Sequence, residues 1–260
     1  MDNTRKIALF IKYDGTAYHG FQVQKNARTI QETVQDALES LFGHETTVCG
    51  CSRTDAGVHA KQFCILTQTH TVIPAEKLPF ALNTKLPDDI SAFAAYEVDD
   101  GFHPRYSAVA KEYEYHIYVG RTRDPFLEKY AYWEPRKFDV ELFKTCAVKF
   151  EGTHDFAAFM ASGSDVEDTV RTMYLCRAEE KADTNEIVVR LKANGFLYNM
   201  VRIIVGTLID AASGRIDPDE IENIILSKDR KRAGFTVPAK GLFLNKIEYG
   251  ENTFKNGREE

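Results

Sequence analysis

The order of predicted strands and helices repeats once along this chain, and the repeat limits which folds are open to it. In the first half, apolar periodicity and turn residues predict strand, helix, strand, strand, helix and strand at 6–14, 29–43, 46–51, 62–69, 74–83 and 91–98. The second half gives the same order at 111–119, 138–150, 169–179, 186–194, 200–212 and 242–249, with one additional helix at 218–226. We therefore predict an α+β fold made of two similar βαββαβ halves.

Short antiparallel sheets with helices on one face need partners that bury that face. The economical arrangement joins the two ferredoxin-like or RRM-like halves into one mainly antiparallel sheet with the helices behind it. We place the boundary within 101–106 and predict an N-terminal half at 1–103, a C-terminal half at 104–250 and a polar tail at 251–260. The open face of such a sheet suits a polymer ligand.

Helix end signals are clearest in the segment at 29–43. Thr29 followed by Glu32 forms a capping box, and Gly43 ends the helix. The helix at 74–83 is predicted to be interrupted by Pro79, because proline lacks an amide hydrogen.

Cysteine usage and hydropathy indicate an ordinary reduced protein rather than a secreted or membrane protein. The five cysteines are an odd number and form no C-x-x-C pair, so we expect no disulfides and a cytoplasmic location. The chain starts without the apolar stretch of a signal peptide, and no apolar run approaches the length that spans a bilayer. A zinc site would have to combine residues that lack the usual ligand spacing, so we expect no metal at Cys49, Cys51, Cys64 and His59.

The net charge of −6 argues mildly against nucleic-acid binding, which usually needs an electropositive surface. Charge acts locally, however, and basic residues gather in three places: Arg105 with Lys111, Arg121 with Arg123 and Lys129, and the segment 228–232. A folded chain could place these groups on one face.

The loop at 51–60 concentrates reactive side chains between two predicted strands. Asp55 supplies a carboxylate, Arg53 a cation two residues earlier and His59 an imidazole, while Thr54 and Gly57 are typical of a turn. From these residues alone two interpretations stay open. The loop is either an aspartate turn with a surface ion pair, or a scaffold that holds a reactive carboxylate.

The segment Arg53–Ala60, RTDAGVHA, resembles the aspartate loop of the TruA family of tRNA pseudouridine synthases. The resemblance covers nearly the whole chain and implies two halves that meet at a central cleft, with Asp55 as the essential carboxylate. It implies that uridines at tRNA positions 38, 39 and 40, in the anticodon stem-loop, are isomerised to pseudouridine. It also implies a homodimer that binds tRNA across both subunits. Phe21 and Ser52 stand where the family commonly has tryptophan and glycine, and these departures bear on substrate choice.

Two further segments carry candidate site residues. Arg202 is a single charge in an apolar helix, so it either reaches the surface, pairs with a structural acid, or points into a cleft towards Asp55. Tyr113 lies in a tyrosine-rich strand and, from the sequence alone, is an ordinary core residue. The resemblance implies instead that Arg202 pairs with Asp55 and that Tyr113 contacts the target base. We also predict that His59 contributes to substrate binding.

The chemistry of this conversion accounts for these residue types. The bond between C1′ and N1 breaks, positive charge builds on the ribose, and C1′ is then joined to C5 of the uracil. A fixed carboxylate such as Asp55 can stabilise that charge or attack the sugar, and a paired Arg53 or Arg202 keeps it ionised. A target base that is stacked or paired must first be flipped out. The reaction moves no electrons to an acceptor, so we expect no small-molecule cofactor.

Two alternative functions stay open at this level. Exposed tyrosines on two βαββαβ halves could form a non-catalytic RNA-binding platform that stacks bases. The same isomerase chemistry could also act on an RNA other than tRNA.

Overall fold

A computed structural model describes residues 4–164, 166–181, 183–251 and 253–254 of the chain. The chain divides into two compact units, Met1–Val109 with Leu244–Glu260, and Ala110–Phe243. The predicted fold class, α+β with a mainly antiparallel sheet, is confirmed. The first unit ends at Val109 and includes most of the last strand, whereas the predicted halves divide after residue 103 and the last strand is predicted in the second.

The first unit contains the predicted βαββαβ order. Its elements are β1 (Arg5–Tyr13), α1 (Ile30–Phe42), β2 (Cys49–Gly50), β3 (His59–Thr69), α2 (Leu78–Asn83) and β4 (Ile90–Glu97). β1 is central and pairs antiparallel with β3 on one side and β4 on the other, so Phe10 lies opposite both Cys64 and Ala94. The last strand of the chain, Leu242–Tyr249, follows β3 in the sheet order, and this pairing explains why the unit includes it.

β2 is shorter than predicted because side chains of α1 bind the backbone that precedes it. Glu39 Oε1 accepts a hydrogen bond from the amide of Thr46 at 3.1 Å, and Gln31 Nε2 donates to the carbonyl of Val48 at 2.8 Å. Only Cys49 and Gly50 are left to pair with β3. The predicted strand at 46–51 is therefore wrong in length, although its place in the order is right.

α1 and α2 show how far local end signals determine a helix. The Thr29 hydroxyl accepts from the Glu32 amide at 3.3 Å, and Gly43 adopts a left-handed conformation with φ of 75°, as the capping residues predict. The predicted helix at 74–83 is divided next to Pro79, because Ala75–Lys77 form a 3₁₀ turn and α2 begins at Leu78. Pro79 lies in the first turn of α2, where its missing amide hydrogen has no intrahelical partner to lose.

The described part of the C-terminal tail packs on the first unit. The ring of Phe254 lies in a cluster with Tyr96, Phe10, Tyr249 and Phe102, at centroid distances of 4.9, 5.4, 5.4 and 5.8 Å. The tail predicted at 251–260 is therefore not wholly polar in its contacts. Residues 255–260 lie outside the described part of the chain.

The second unit is more elaborate than the predicted repeat. Its elements are β5 (Ala108–Val119), β6 (Tyr132–Glu134), α3 (Val140–Val148), β7 (Gly152–Asp155), β8 (Val170–Lys181), β9 (Glu186–Ala193), α4 (Met200–Ala212), α5 (Ile221–Ser227) and the start of β10 (Leu242–Tyr249). The sheet order is β5-β9-β8-β7, and β6 runs parallel to β5. β6 and β7 were not predicted, because three or four residues are too few to show a periodicity.

α4 is buried along almost its whole length and is covered by the chain that leads to β10. The Gly234 amide donates to Thr207 Oγ1 at 2.8 Å, and the Val237 amide donates to the Arg202 carbonyl at 3.3 Å. These bonds fix the segment 234–237 along α4, within reach of the Arg202 side chain. Across the described residues, no helix is both long and apolar enough to cross a membrane.

Candidate active site

The loop that carries Asp55 is a tight turn between β2 and β3. The Cys51 amide donates to the Cys64 carbonyl at 2.9 Å, which continues the strand pairing up to the start of the loop. The Val58 amide donates to the Asp55 carbonyl at 3.2 Å, and Gly57 adopts φ of 78°, which closes the turn. The turn predicted from Thr54, Asp55 and Gly57 is confirmed.

Backbone hydrogen bonds from the segment after β1 hold this turn. The Phe21 amide donates to the Thr54 carbonyl at 3.0 Å, and the Gly57 amide donates to the Tyr18 carbonyl at 3.3 Å. Gly20 makes the approach possible, because it adopts φ of 88° and a Cβ there would lie 2.5 Å from the Thr54 carbonyl oxygen. This one segment therefore fixes the loop on either side of Asp55, at Thr54 and at Gly57.

Side chains in the loop alternate between burial and exposure. The Thr54 hydroxyl points inward and lies 2.8 Å from the Tyr13 hydroxyl in a buried hydrogen bond. Asp55 is half-buried, and Arg53 is exposed and forms no ion pair with any residue that the structure describes. The rigid turn thus presents a carboxylate and, two residues earlier, a guanidinium.

His59 lies inside the first unit and is the first residue of β3. Its ring is 1% exposed, and Nδ1 accepts a hydrogen bond from the Gly15 amide at 3.1 Å. Asp14 Oδ1 lies 3.1 Å from the same nitrogen. The imidazole therefore supports the segment that holds the aspartate loop, and its predicted contact with substrate stays a prediction.

Arg202 is half-buried in the first turn of α4, and its guanidinium is held by two neutral oxygens. Nε donates to the Val237 carbonyl at 2.7 Å, and one terminal nitrogen donates to Asn199 Oδ1 at 2.6 Å. Asn199 precedes α4 in a left-handed conformation with φ of 59°, which directs its side chain back to the helix. The sequence did not identify Asn199 or Val237, although an asparagine directly before a helix is a recognisable signal for a special backbone conformation.

Tyr113 is a buried residue of β5 with one specific aromatic neighbour. Its ring is 7% exposed and meets Phe196 edge to face, with centroids 5.0 Å apart and planes at 83°. Such pairs fix the orientation of a ring. The predicted contact of Tyr113 with a base stays a prediction.

Tyr115 shares a strand with Tyr113 and lies near Arg202. Its hydroxyl donates to the Pro238 carbonyl at 2.7 Å, in the same turn that holds Arg202. Burial raises the pKa of Tyr115 well above its usual value, against the opposing effect of the Arg202 charge, so the hydroxyl stays a donor. The residue therefore fixes the turn rather than providing a base.

The cysteines near the aspartate loop lie in the first unit without forming a metal cluster. Cys51 and Cys64 are buried, whereas Cys49 is exposed and its Sγ lies 3.5 Å from His103 Nε2. Burial is the largest effect on the Cys64 thiol and raises its pKa. Within the described ranges, no three histidine, cysteine or acidic side chains are arranged to hold a metal ion.

Comparisons with known proteins agree over most of the chain. The sequence profile of a family described as tRNA pseudouridine synthase matches residues 9–107 and 146–250, so Tyr113 lies between the two matched segments. A tRNA pseudouridine synthase A from Thermoanaerobacter sp. (strain X514) is 48% identical over 245 residues, which cover 94% of this chain and 100% of the relative. The tRNA pseudouridine synthase A of Bacillus subtilis (strain 168) is 44% identical over 241 residues, which cover 92% and 97%.

One solved structure, a Cbf5-Nop10-Gar1 complex, contains a chain that is similar at a TM-score of 0.35 and 10% identity, over 91% of this chain and 57% of that one. A likeness this weak has no bearing on the fold. The profile and the full-length relatives are much stronger. Because they match almost the entire sequence, the chain belongs to the family of tRNA pseudouridine synthases, enzymes that isomerise uridine in tRNA.

Proposed function

We propose that Asp55 is the essential carboxylate of this enzyme and that it acts on uridines at positions 38, 39 and 40, in the anticodon stem-loop of tRNA. The observation that supports the proposal best is the state of the aspartate loop. Its backbone is fixed on either side of Asp55, at Thr54 and Gly57, while Asp55 itself is only half-buried. A catalytic group has to be both pre-positioned and reachable.

The proposed reaction balances within one nucleotide. The C1′–N1 bond breaks, and the Asp55 carboxylate stabilises the electron-poor sugar or attacks C1′. The released uracil turns so that C5 faces C1′, and a C1′–C5 bond forms; where Asp55 has attacked C1′, the bond between them breaks in this step. The proton at C5 leaves and N1 takes up a proton, so the product has the same atoms as the uridine. No electron acceptor or transferred group enters, so the chemistry needs no cofactor.

Of the two candidates, Arg53 and Arg202, we propose that Arg202 keeps Asp55 ionised and oriented. An arginine beside a carboxylate favours the charged form and binds it in a fixed geometry. Hydrogen bonds to the Val237 carbonyl and to Asn199 Oδ1 support this role, because they fix the orientation of the Arg202 guanidinium. Arg53, which is exposed two residues before Asp55, or another residue of the loop, is proposed to fill the gap that the flipped-out base leaves.

Tyr113 is proposed to hold the detached uracil while it turns. A tyrosine ring can stack on a base, and its hydroxyl can take part in removal of the C5 proton. The edge-to-face contact with Phe196 supports this role because it fixes the ring plane. His59 is proposed to support substrate binding through Gly15 rather than by direct contact, since its ring is buried.

The partners follow from this function. We propose that the enzyme acts as a homodimer on tRNA in the cytoplasm, with no membrane partner. A non-catalytic RNA-binding platform and the same chemistry on another RNA are the competing proposals, and family membership favours the tRNA enzyme over both.

The test combines unmodified tRNA with an isosteric variant. Asp55→Asn is expected to lower the single-turnover rate by at least about 10³-fold, because an amide cannot supply the negative charge, while tRNA binding changes little. Asp88→Asn is the matched control, since it removes one exposed carboxylate from the same unit and should leave the rate unchanged. Mapping pseudouridine by position then tests the anticodon assignment.

Each competing proposal has its own result in this experiment. Wild-type protein that binds tRNA without making pseudouridine would support the binding platform. Modification of other cellular RNAs, with unmodified tRNA left untouched, would support the alternative substrate. Full activity of Asp55→Asn would remove Asp55 from the mechanism.

A further inference from the structure

The segment 19–28 forms a short hairpin directly after the residues that hold the aspartate loop. The His19 amide donates to the Arg28 carbonyl at 2.9 Å, and Gln24 forms a bridge with Ala27 across a turn in which Asn26 adopts φ of 61°. The Gln24 side chain also donates to the His19 carbonyl at 2.9 Å. The hairpin is therefore ordered by its own hydrogen bonds.

The base of this hairpin is joined to the aspartate loop. Gly20 packs on the Thr54 carbonyl, and the Phe21 amide donates to the same oxygen at 3.0 Å. From there the chain passes at once into residues 22–26, which are all exposed. The hairpin thus stands next to the Asp55 turn, within the same unit, and presents its tip to solvent.

The hairpin and the residues around it are free of acidic side chains. No aspartate or glutamate occurs from Gly15 to Gln31, whereas Lys25 and Arg28 are both exposed cations in a chain whose net charge is −6. Neither cation forms an ion pair with any residue among those described. Two acids of α1, Glu32 and Asp36, line a shallow groove with Arg28 on the helix side, and Asp89 lies on the far side of the Tyr18 ring, bonded to its hydroxyl.

Arg28 is also held in a defined orientation. Its guanidinium lies over the ring of Tyr18, 4.7 Å from the centroid. The Tyr18 hydroxyl in turn donates to Asp89 Oδ1 at 2.6 Å, which fixes the ring. A planar donor fork that is pre-oriented and unpaired loses little freedom when it binds a phosphate.

We propose that the hairpin 19–28 is a docking surface for the RNA backbone, with Lys25 and Arg28 as contacts to phosphates that flank the target nucleotide. The proposal rests on the proposed function, because it assigns how substrate is held beside Asp55. Phosphate contacts supply most of the sequence-independent affinity for RNA and fix the register of the strand. A rigid cationic hairpin beside the carboxylate would set which nucleotide reaches it.

A second copy of the chain is a less suitable occupant of this surface. The centres of subunit interfaces are depleted in lysine and rich in large apolar side chains. The hairpin tip instead carries glutamines, a lysine and an asparagine, with Val23 as its one apolar side chain. Its composition fits a charged polymer.

The test measures how tRNA binding depends on salt. For the double variant Lys25→Ala with Arg28→Ala, the plot of log affinity against log salt concentration should become shallower by about 1.5, at roughly 0.7–0.9 per lost phosphate contact. Affinity near physiological salt should fall about tenfold. The rate at saturating tRNA should stay at the wild-type value, because neither residue acts on the reacting atoms.

A matched control removes the same charge elsewhere. Lys77→Ala with Lys137→Ala takes away two exposed lysines that form no ion pair with a described residue, and it should leave the salt slope at the wild-type value. Lys25→Ala alone preserves the contact between Arg28 and Tyr18. It should still reduce the slope by about half of the double-variant effect, which guards against misfolding as the cause.

Two outcomes would overturn the proposal. A double variant with the same salt slope as the control pair would overturn the proposal. A changed oligomeric state in sedimentation, at unaltered salt slope, would assign the hairpin to a subunit contact and also overturn it. Neither result depends on Asp55, so the hairpin can fail while Asp55→Asn still abolishes isomerisation, and the reverse also holds.

Discussion

The two units hold their candidate catalytic residues by different means. In the first unit, the turn that carries Asp55 is fixed mainly by backbone hydrogen bonds from residues 18–21. In the second unit, Arg202 is fixed through side-chain bonds to Asn199 and to the carbonyl of Val237. A site built on backbone tolerates changes of side chain and fails when the backbone conformation is disturbed, whereas a site built on side chains has the opposite weakness.

The largest effect should come from disturbing the backbone support at Gly20. Gly20→Ala would place a methyl group 2.5 Å from the Thr54 carbonyl oxygen in a left-handed conformation, so we expect a loss of about 3 kcal/mol in the free energy of unfolding. Urea unfolding would measure this loss of stability, and the single-turnover rate would show whether the aspartate loop is disturbed as well.

Gly43→Ala is the control that separates conformation from contact. Gly43 has φ of 75°, close to that of Gly20, but a Cβ there meets no atom within 4 Å. We expect it to cost only about 1 kcal/mol and to leave the rate constant unchanged. Equal losses for the two variants would show that the close approach to the aspartate loop has no special importance.

A smaller effect should follow from removing a side-chain support in the second unit. Asn199→Gly keeps the positive φ but deletes the oxygen that binds the Arg202 guanidinium, so we expect about a tenfold lower single-turnover rate with nearly unchanged stability.

Asn185→Gly provides the matched comparison for that variant. Asn185 has φ of 52° and is exposed in the turn between β8 and β9. The same substitution at the same kind of backbone position should leave the rate unchanged. An Asn199→Gly enzyme with wild-type kinetics would mean that Arg202 needs no such support.

The contrast also explains which features the sequence could predict. α4 and β10 have the predicted bounds, and the Thr29 cap forms as expected, because these signals lie within a few residues of one another. The Arg202 acceptor at Val237 is 35 residues away, and no local pattern connects the two. The candidate site residues were identified by a motif. The hydrogen-bond partners that hold them come from distant parts of the sequence and meet them only in the folded chain.

His59 shows the same limit from the other side. The sequence predicts that this strand begins at residue 62, which leaves His59 in the loop, where a histidine suggests contact with substrate. In the structure β3 begins three residues earlier, at His59. The alternation that marks a half-buried strand is absent at Val58, His59 and Ala60, which are all buried. The buried ring is accommodated because Gly15 donates to it, and this contact spans 44 residues.

A more modest effect is expected from a side-chain hydrogen bond that supports the aspartate turn, between the Tyr13 and Thr54 hydroxyls. Tyr13→Phe and Thr54→Val each remove one hydroxyl of the buried pair at 2.8 Å, and each should cost about 1 kcal/mol of stability. The double variant should cost less than the sum, with a coupling energy of about 1 kcal/mol. Additive losses would show that the two hydroxyls do not depend on each other. The rate should change less than in Gly20→Ala, since the backbone bonds remain.

The smallest effect concerns a charged side-chain pair of the second unit. Asp155 Oδ2 lies 2.7 Å from Lys228 Nζ, and this bond, with that from Thr169, lowers the carboxyl pKa below its usual value. A lowered folded-state pKa stabilises the protein above the unfolded pKa, and that contribution is lost as pH falls through the folded value. Because the Lys228 side chain is largely exposed, Lys228→Gln should cost only about 0.5 kcal/mol at pH 7. The difference from wild type should shrink in acid urea titrations. A difference that stays constant down to the lowest pH would mean that the lysine stabilises the unit by packing rather than by charge. The two units would then differ only in whether backbone or side-chain contacts hold their candidate catalytic residues.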